Sequence, residues 1–123
     1  MKNLNSKTTS ELVELFRQSS LVQDETYISD DNKKYKKMYS LIQSIAQELK
    51  DRPGDARSEL LALLQDENPH VRLQAAKRAY PVAPIEARAC LEAIRAARLP
   101  DQSLDAGMTL SFLERDPHSL ELK

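Results

Sequence analysis

The residues able to do chemistry in this chain are few, and they are poorly grouped. There are two histidines, His70 and His118, each beside a proline, and one cysteine, Cys90. Neither histidine has a second His, Cys or paired carboxylate at metal-ligand spacing, so a surface role is expected for both and no metal site. Cys90 lies in Ala89-Cys90-Leu91, where a small apolar side chain suits a helix core. No cation is placed on its own helical face to favour the thiolate, which points to an inert thiol. With only Gly54 and Gly107 in the chain, a glycine-rich phosphate loop is excluded. No nucleophile-and-base set emerges and no cofactor is called for, so a non-catalytic protein is expected, with an uncharacterised enzyme as the last alternative.

Arg72 is the most informative charged residue. Asp66 in the preceding turn and Asp105 one repeat later could both face it. The plainer reading is a structural ladder in which Arg72 bridges the two carboxylates, because partly buried charges need partners for structural reasons alone. The functional reading is a guanidinium that accepts an acidic group in bidentate fashion. Gln74 and Asp105 would join Arg72 on the same binding surface, together with Gln23 and Glu25 at the exit of the first helix. A second set, Lys77, Arg78, Arg88 and Arg95, makes one region locally basic and supplies candidate phosphate contacts. Glu86 and Glu92 are interleaved with it, however, and the chain has no Trp. A phosphate-tracking surface normally carries a clearer positive excess.

These residues must be positioned by helices, because hydrophobic spacing throughout is three and four residues and no convincing strand is present. The first helix is expected from Thr9 to Thr26, with Thr8 and Glu11 at capping-box spacing. Its apolar face is Leu12, Leu15, Phe16 and Val22. Asp30 or Asp31 caps a second helix, Asn32 to Asp51, that carries Tyr35, Met38, Ile42, Ile45 and Leu49 on one stripe, with Lys33, Lys34, Lys36 and Lys37 elsewhere on its circumference. Pro53-Gly54 stops it. A third helix starts at Asp55 and bears Leu60, Leu61, Leu63 and Leu64. Asn68 caps a fourth that begins at Pro69, where a missing N–H costs nothing. A fifth begins near Pro84 with Ala87, Leu91 and Ile94 inward, and a sixth spans Ser103 to Glu114. Gly107 inside that last helix costs about 1 kcal/mol relative to alanine. Close packing against the fourth or fifth helix is the expected reason, and room for a ligand beside Asp105 and Met108 the alternative.

The last two helix pairs superpose at an offset of about 33 positions, within the range of helical repeats. Val71 then falls on Leu104, Ala75 on Met108 and Ala79 on Phe112. Such pairs bury their apolar faces only by stacking on neighbours. The expected fold is therefore all-α: a short right-handed α-solenoid (HEAT-like) of about six helices in three antiparallel pairs. Residues 8–52 would form an N-terminal capping pair, 55–80 a first repeat, 83–115 a second, and 116–123 a tail, all in one domain.

Several segments resemble a small bacterial family of HEAT-like domains with no assigned function. They are Gln23-Asp24-Glu25, Ile45-Ala46-Gln47-Glu48-Leu49, Arg52-Pro53-Gly54-Asp55, Val71-Arg72-Leu73-Gln74-Ala75-Ala76, Ala83-Pro84 and Asp105-Ala106-Gly107-Met108-Thr109-Leu110. The resemblance covers nearly the whole chain. It implies an all-helical HEAT-like fold and supplies no activity, substrate, cofactor or catalytic residue.

The charge balance, 18 basic against 19 acidic side chains, favours neither a polyanion nor an anionic membrane as partner. No apolar run is long enough to span a bilayer, and Met1 to Lys7 lacks the apolar stretch of a secretory signal. A cytoplasmic protein that binds another protein through its second helices, as an adaptor or immunity-type module, is the leading expectation. Nucleic-acid binding is the alternative.

Overall fold

A computed structural model describes residues 4–28 and 31–117. His118, the rest of the 118–123 tail, Asp30 and the side chain of Tyr27 lie outside the described residues. Every regular element among the described residues is helical. The α-helices are α1 (Thr9–Ile28), α2 (Asn32–Lys50), α3 (Pro69–Ala79), α4 (Pro84–Ala96) and α5 (Gln102–Arg115), with short-pitch 3-10 segments at Leu4–Ser6 and Ala56–Gln65. The chain divides into two compact units, Met1–Glu59 and Leu60–Lys123.

In the first unit α1 packs against α2. The capping box forms as the sequence predicts. Thr8 N–H donates to Glu11 Oε1 at 2.8 Å and Glu11 N–H donates to Thr8 Oγ1 at 3.1 Å, which satisfies two amides that the first helical turn would otherwise leave open. Leu12 and Phe16 are fully buried, but beyond them the buried face turns polar: Ser19, Ser20, Gln23 and Thr26. Two of these hydroxyls return their proton to the helix backbone. Ser20 Oγ donates to the Phe16 carbonyl and Thr26 Oγ1 to the Gln23 carbonyl, both at 2.9 Å, so burying them leaves no donor open. Asp31 caps α2, accepting from Lys34 N–H at 3.2 Å. Ile42, Ile45, Ala46 and Leu49 form the buried stripe of that helix, and its four early lysines are all exposed.

Arg52 closes this unit. Its guanidinium donates to Glu48 Oε2 at 3.1 Å, to Thr9 Oγ1 at 3.3 Å, and to the carbonyls of Leu4 and Lys7 at 3.2 and 2.7 Å. One side chain thereby ties the end of α2 to the segment that enters α1.

The third element departs from the expected α-helix: Ala56–Gln65 winds as a 3-10 helix of ten residues, although such runs rarely exceed three or four. Its entry explains part of this. Gly54 and Asp55 both have positive φ, 75° and 55°, so the chain arrives through two successive left-handed residues. Asp55 tolerates that region better than most non-glycine residues because its short polar side chain bonds locally. It accepts from Arg57 N–H at 3.2 Å, Nε at 2.8 Å and Nη2 at 2.6 Å. In a three-residue turn, side chains at i and i+3 lie directly in line. Arg57, Leu60 and Leu63 fall on one such row, and all three are buried.

In the second unit α3, α4 and α5 pack against one another. Asn68 caps α3, accepting from His70 N–H at 2.8 Å and Val71 N–H at 3.1 Å. The α3 helix is enclosed almost all round: His70, Val71, Leu73, Gln74, Ala75, Ala76 and Ala79 are buried. His70 is therefore not the surface residue expected of it. From α4, Ala87, Leu91 and Ile94 point inward, and from α5, Ala106, Thr109, Leu110 and Leu113 do so. Ser103 joins these two helices, its Oγ donating to the Ile94 carbonyl and accepting from Leu99 N–H, both at 2.6 Å.

The Arg57 guanidinium holds the Asp55 carboxyl below its ordinary value of 3.8. A carboxylate lowered by folding stabilises the native state above that ordinary value, and the contribution is lost as pH falls through the lowered folded value. Asp55→Asn keeps the left-handed tolerance and removes the charge. It should cost about 1–2 kcal/mol at pH 7, read as a lower denaturation midpoint, and the gap from the native chain should narrow as pH falls below 3.8 and through the lowered folded value. A gap that stays constant from pH 7 to pH ~2 would exclude the pair as its cause.

Candidate functional site

The charged residues proposed from the sequence do not converge. Arg72 donates to the Asp66 carbonyl at 2.7 Å and to the Glu67 carbonyl at 3.3 Å. It fastens the turn before its own helix. Asp105, its expected partner, instead takes Lys77 Nζ at 3.2 and 3.3 Å and the Thr109 hydroxyl at 3.2 Å. The Arg72–Asp105 ladder is thus replaced by a Lys77–Asp105 pair across α3 and α5. Gln74 is buried, and two residues of helix place it about 200° around α3 from Arg72, so the two cannot share a surface. Gln23 is also lost as a contact residue: it is 1% exposed, inside the α1 packing face. Glu25, next but one on the same helix, is exposed.

The basic set is matched by acids. Arg95 Nη2 lies 2.6 Å from Glu92 Oε1. Arg88 reaches Glu92 at 3.8 Å and Glu114 at 3.7 Å, and Lys77 holds Asp105. Arg78 is half-buried and engaged as well. Glu92 therefore serves two arginines, and the interleaving visible in the sequence becomes pairing in space.

Gly107 lies under the Arg95 stem. A Cβ at this position would meet Arg95 Cδ at 3.6 Å, ordinary van der Waals contact. The position faces the Arg95 side chain of α4, and a methyl group would fit there. Cys90 is half-buried, its Sγ 3.8 Å from the Arg72 carbonyl. Burial pushes its thiol above the ordinary value, which disfavours the reactive thiolate. Among the described residues no group of three or more His, Cys, Asp and Glu side chains could hold a metal ion, and no helix is long and apolar enough to cross a membrane.

What stands out is apolar and lies on the far side of α5. Leu104, Met108 and Phe112 are 66%, 53% and 52% exposed, although their sequence-matched counterparts Val71, Ala75 and Ala79 on α3 are fully buried. Spacing of four residues puts all three on one outward row, opposite Ala106, Leu110 and Leu113. The Arg115 guanidinium caps the row, 4.9 Å above the Phe112 ring centroid, within range of a cation–π contact. The repeat comparison takes this row for core. The helix in fact carries two apolar rows, and the one with Leu110 and Leu113 is the one it buries. Recognising two rows on a single helix would have separated core from surface.

A family model described as a domain of unknown function (DUF2019) matches residues 10–114. The chain belongs to this family. A solved structure, that of the protein RPA1889 from Rhodopseudomonas palustris CGA009, is 39% identical, with a TM-score of 0.92 over 94% of this chain and 96% of that one. No curated protein matches the chain. The bacterial resemblance drawn from the sequence motifs is therefore shown, as a family without an assigned activity.

Because a methyl group at Gly107 meets only the flexible Arg95 stem, Gly107→Ala should stabilise the protein by up to about 1 kcal/mol through the higher helix propensity of alanine. Thermal unfolding would show a rise in Tm. A fall would mean that α4 and α5 need the bare backbone there.

Proposed function

We propose that the domain is a non-catalytic protein-binding module, an adaptor or immunity-type protein of the cytoplasm, and that it docks its partner on the outward face of α5. The observation that carries this reading is the row Leu104, Met108 and Phe112, three large apolar side chains each more than half exposed on one helix face. Scattered exposed hydrophobes need no explanation, whereas a contiguous row rimmed by polar groups marks an interaction surface. Asp101, Asp105 and Arg115 provide such a rim.

A short right-handed HEAT-like stack is the architecture that best accounts for the row. In such stacks each layer buries its apolar faces against its neighbours, and the row on α5 is such a face left exposed among the described residues. Val71, Ala75 and Ala79 buried on α3, against Leu104, Met108 and Phe112 open on α5, support that reading. The α5 helix is also a second helix of its pair, the position from which binding was expected. Nucleic acid is the weaker reading, since Lys77, Arg88 and Arg95 each already face a carboxylate and a phosphate would have to displace it.

The test compares two baits in lysate of the source organism: the native chain and Met108→Glu, whose new charge lies on an exposed position and leaves the core untouched. The native bait should retain a protein at stoichiometric level, and the variant should lose at least about tenfold of it, the effect of one charge placed in an apolar contact. Identical recoveries from both baits would overturn the reading, as would none from either if the native chain also fails to associate with itself through this face.

A further inference from the structure

The outward face of α5 has a symmetry that a foreign partner would not require. In chain order it carries Asp101, Leu104, Met108, Phe112 and Arg115, with Asp101 at the N-cap and Arg115 the last residue of the helix. The steps between them are three, four, four and three residues, the same read in either direction, with Met108 at the centre. At about 100° per residue all five fall within an arc of roughly 80°. The row is acidic at the beginning of the helix, apolar through the middle and basic at the end.

Resting on the docking role of this face, we propose that its occupant is a second copy of the chain, bound antiparallel about a two-fold axis that passes beside Met108. Such an axis is isologous, so each residue meets the one at the mirrored position. Met108 meets Met108 of the second copy, Leu104 meets Phe112, and the carboxylate of Asp101 meets the guanidinium of Arg115. Charge complementarity arises from the single sequence, because reversing the helix brings its acidic end to the other's basic end. The antiparallel arrangement also sets the positive end of one helix dipole beside the negative end of the other. Methionine at the axis suits the site, since an unbranched flexible side chain packs against its own image without a fixed hand. Phe112 is covered on its open side by the facing leucine, while Arg115, already over the ring of its own Phe112, stays at the wet margin. A parallel pairing would instead set Asp101 against Asp101 and Arg115 against Arg115.

The pairing is a modest one. A single helix face of about 20 Å length buries less than the ~1,200 Å² at which specific interfaces become stable. An interface of this size class is weak and transient, with a dissociation constant of order µM to mM, so the dimer forms and separates with concentration.

Sedimentation velocity from about 1 µM to about 1 mM, a range chosen to bracket that constant, should show monomer passing to dimer. Met108→Glu, which brings two like charges together on the axis, should remain monomeric throughout while keeping the native helical circular dichroism. Geometry is read by cysteine cross-linking in a Cys90→Ser background under mild oxidation. Met108→Cys should form a disulfide dimer with itself. Leu104→Cys and Phe112→Cys should each fail alone and cross-link when mixed. A native chain that is monomeric at the top of the range overturns the proposal, as does a dimer that survives Met108→Glu or a Leu104→Cys variant that cross-links to itself as fast as Met108→Cys. A monomeric native chain whose α5 face still captures another protein in a Met108-dependent way would remove the second copy as occupant and leave the docking face standing.

Discussion

The second unit depends on the enclosure of α3. A helix surrounded by neighbours must present side chains small enough for them to approach, and Ala75, Ala76 and Ala79 have no exposed surface at all. Small residues let helix axes come close, and dispersion contacts grow as the gap closes. The larger Val71 and Leu73 fill what remains. Polar groups on such a helix have to be settled at its ends. Asn68 takes the first free amides, and Arg72 turns back to the carbonyls of the preceding turn. With α3 enclosed almost all round, α4 and α5 meet it through their inner rows. The outer row of α5 is then surplus to the core, and its composition is free to answer to something else.

The first unit solves a different problem. Its apolar core is made by Leu12, Phe16 and the α2 stripe, and it runs out halfway along α1, where Ser19, Ser20, Gln23 and Thr26 take over. Buried hydroxyls that bond to their own helix cost less than open ones. They add little adhesion, so the unit relies on polar fastening at its margins. Arg52, reaching Glu48, Thr9 and two carbonyls near the chain start, supplies that at one end. Next to it, Asp55 and Arg57 secure the left-handed turn that leads out of the unit. The short stretch Arg52 to Arg57 therefore carries two polar fastenings within six residues.

Where local chemistry determines structure, the sequence was readable. The reciprocal Thr8–Glu11 cap, the Asn68-Pro69 start of α3 and the arrest at Pro53-Gly54 each follow from a hydrogen-bond requirement settled within four residues. Helical content followed from spacing in the same way. Three things were hidden because they depend on contacts distant in sequence. The Leu60 to Leu64 pattern fits a three-residue turn as well as a 3.6-residue one, and only its surroundings select the tighter form. Gln23 and His70 have polar side chains that composition assigns to the surface, yet neighbours bury them. Arg72 and Asp105 looked complementary at repeat spacing, but Asp105 pairs with Lys77 and Arg72 donates to backbone carbonyls of the turn before its helix. The repeat offset itself misled in an instructive way: it aligned Leu104, Met108 and Phe112 with buried positions of α3, and in the folded chain that row is exposed.

The distribution of charge and apolar surface bears on what kind of function such a domain can support. Chemistry on a small substrate needs polar groups held apart from their natural partners, so that they are available to the reactant. Here the opposite is found wherever charges gather on α3 to α5: Lys77 is matched to Asp105, Arg95 to Glu92, and Arg88 shared between Glu92 and Glu114. These pairs are exposed enough to contribute little to stability, but they offset one another's field and so weaken any steering of an anion to this region. Apolar contact needs no such field. It requires only area and shape, which the outer row of α5 provides, and mirrored charges at its two ends would add register to an attraction that is otherwise indifferent to direction. On the proposed docking reading, such a face would recognise by fit and by end-to-end polarity.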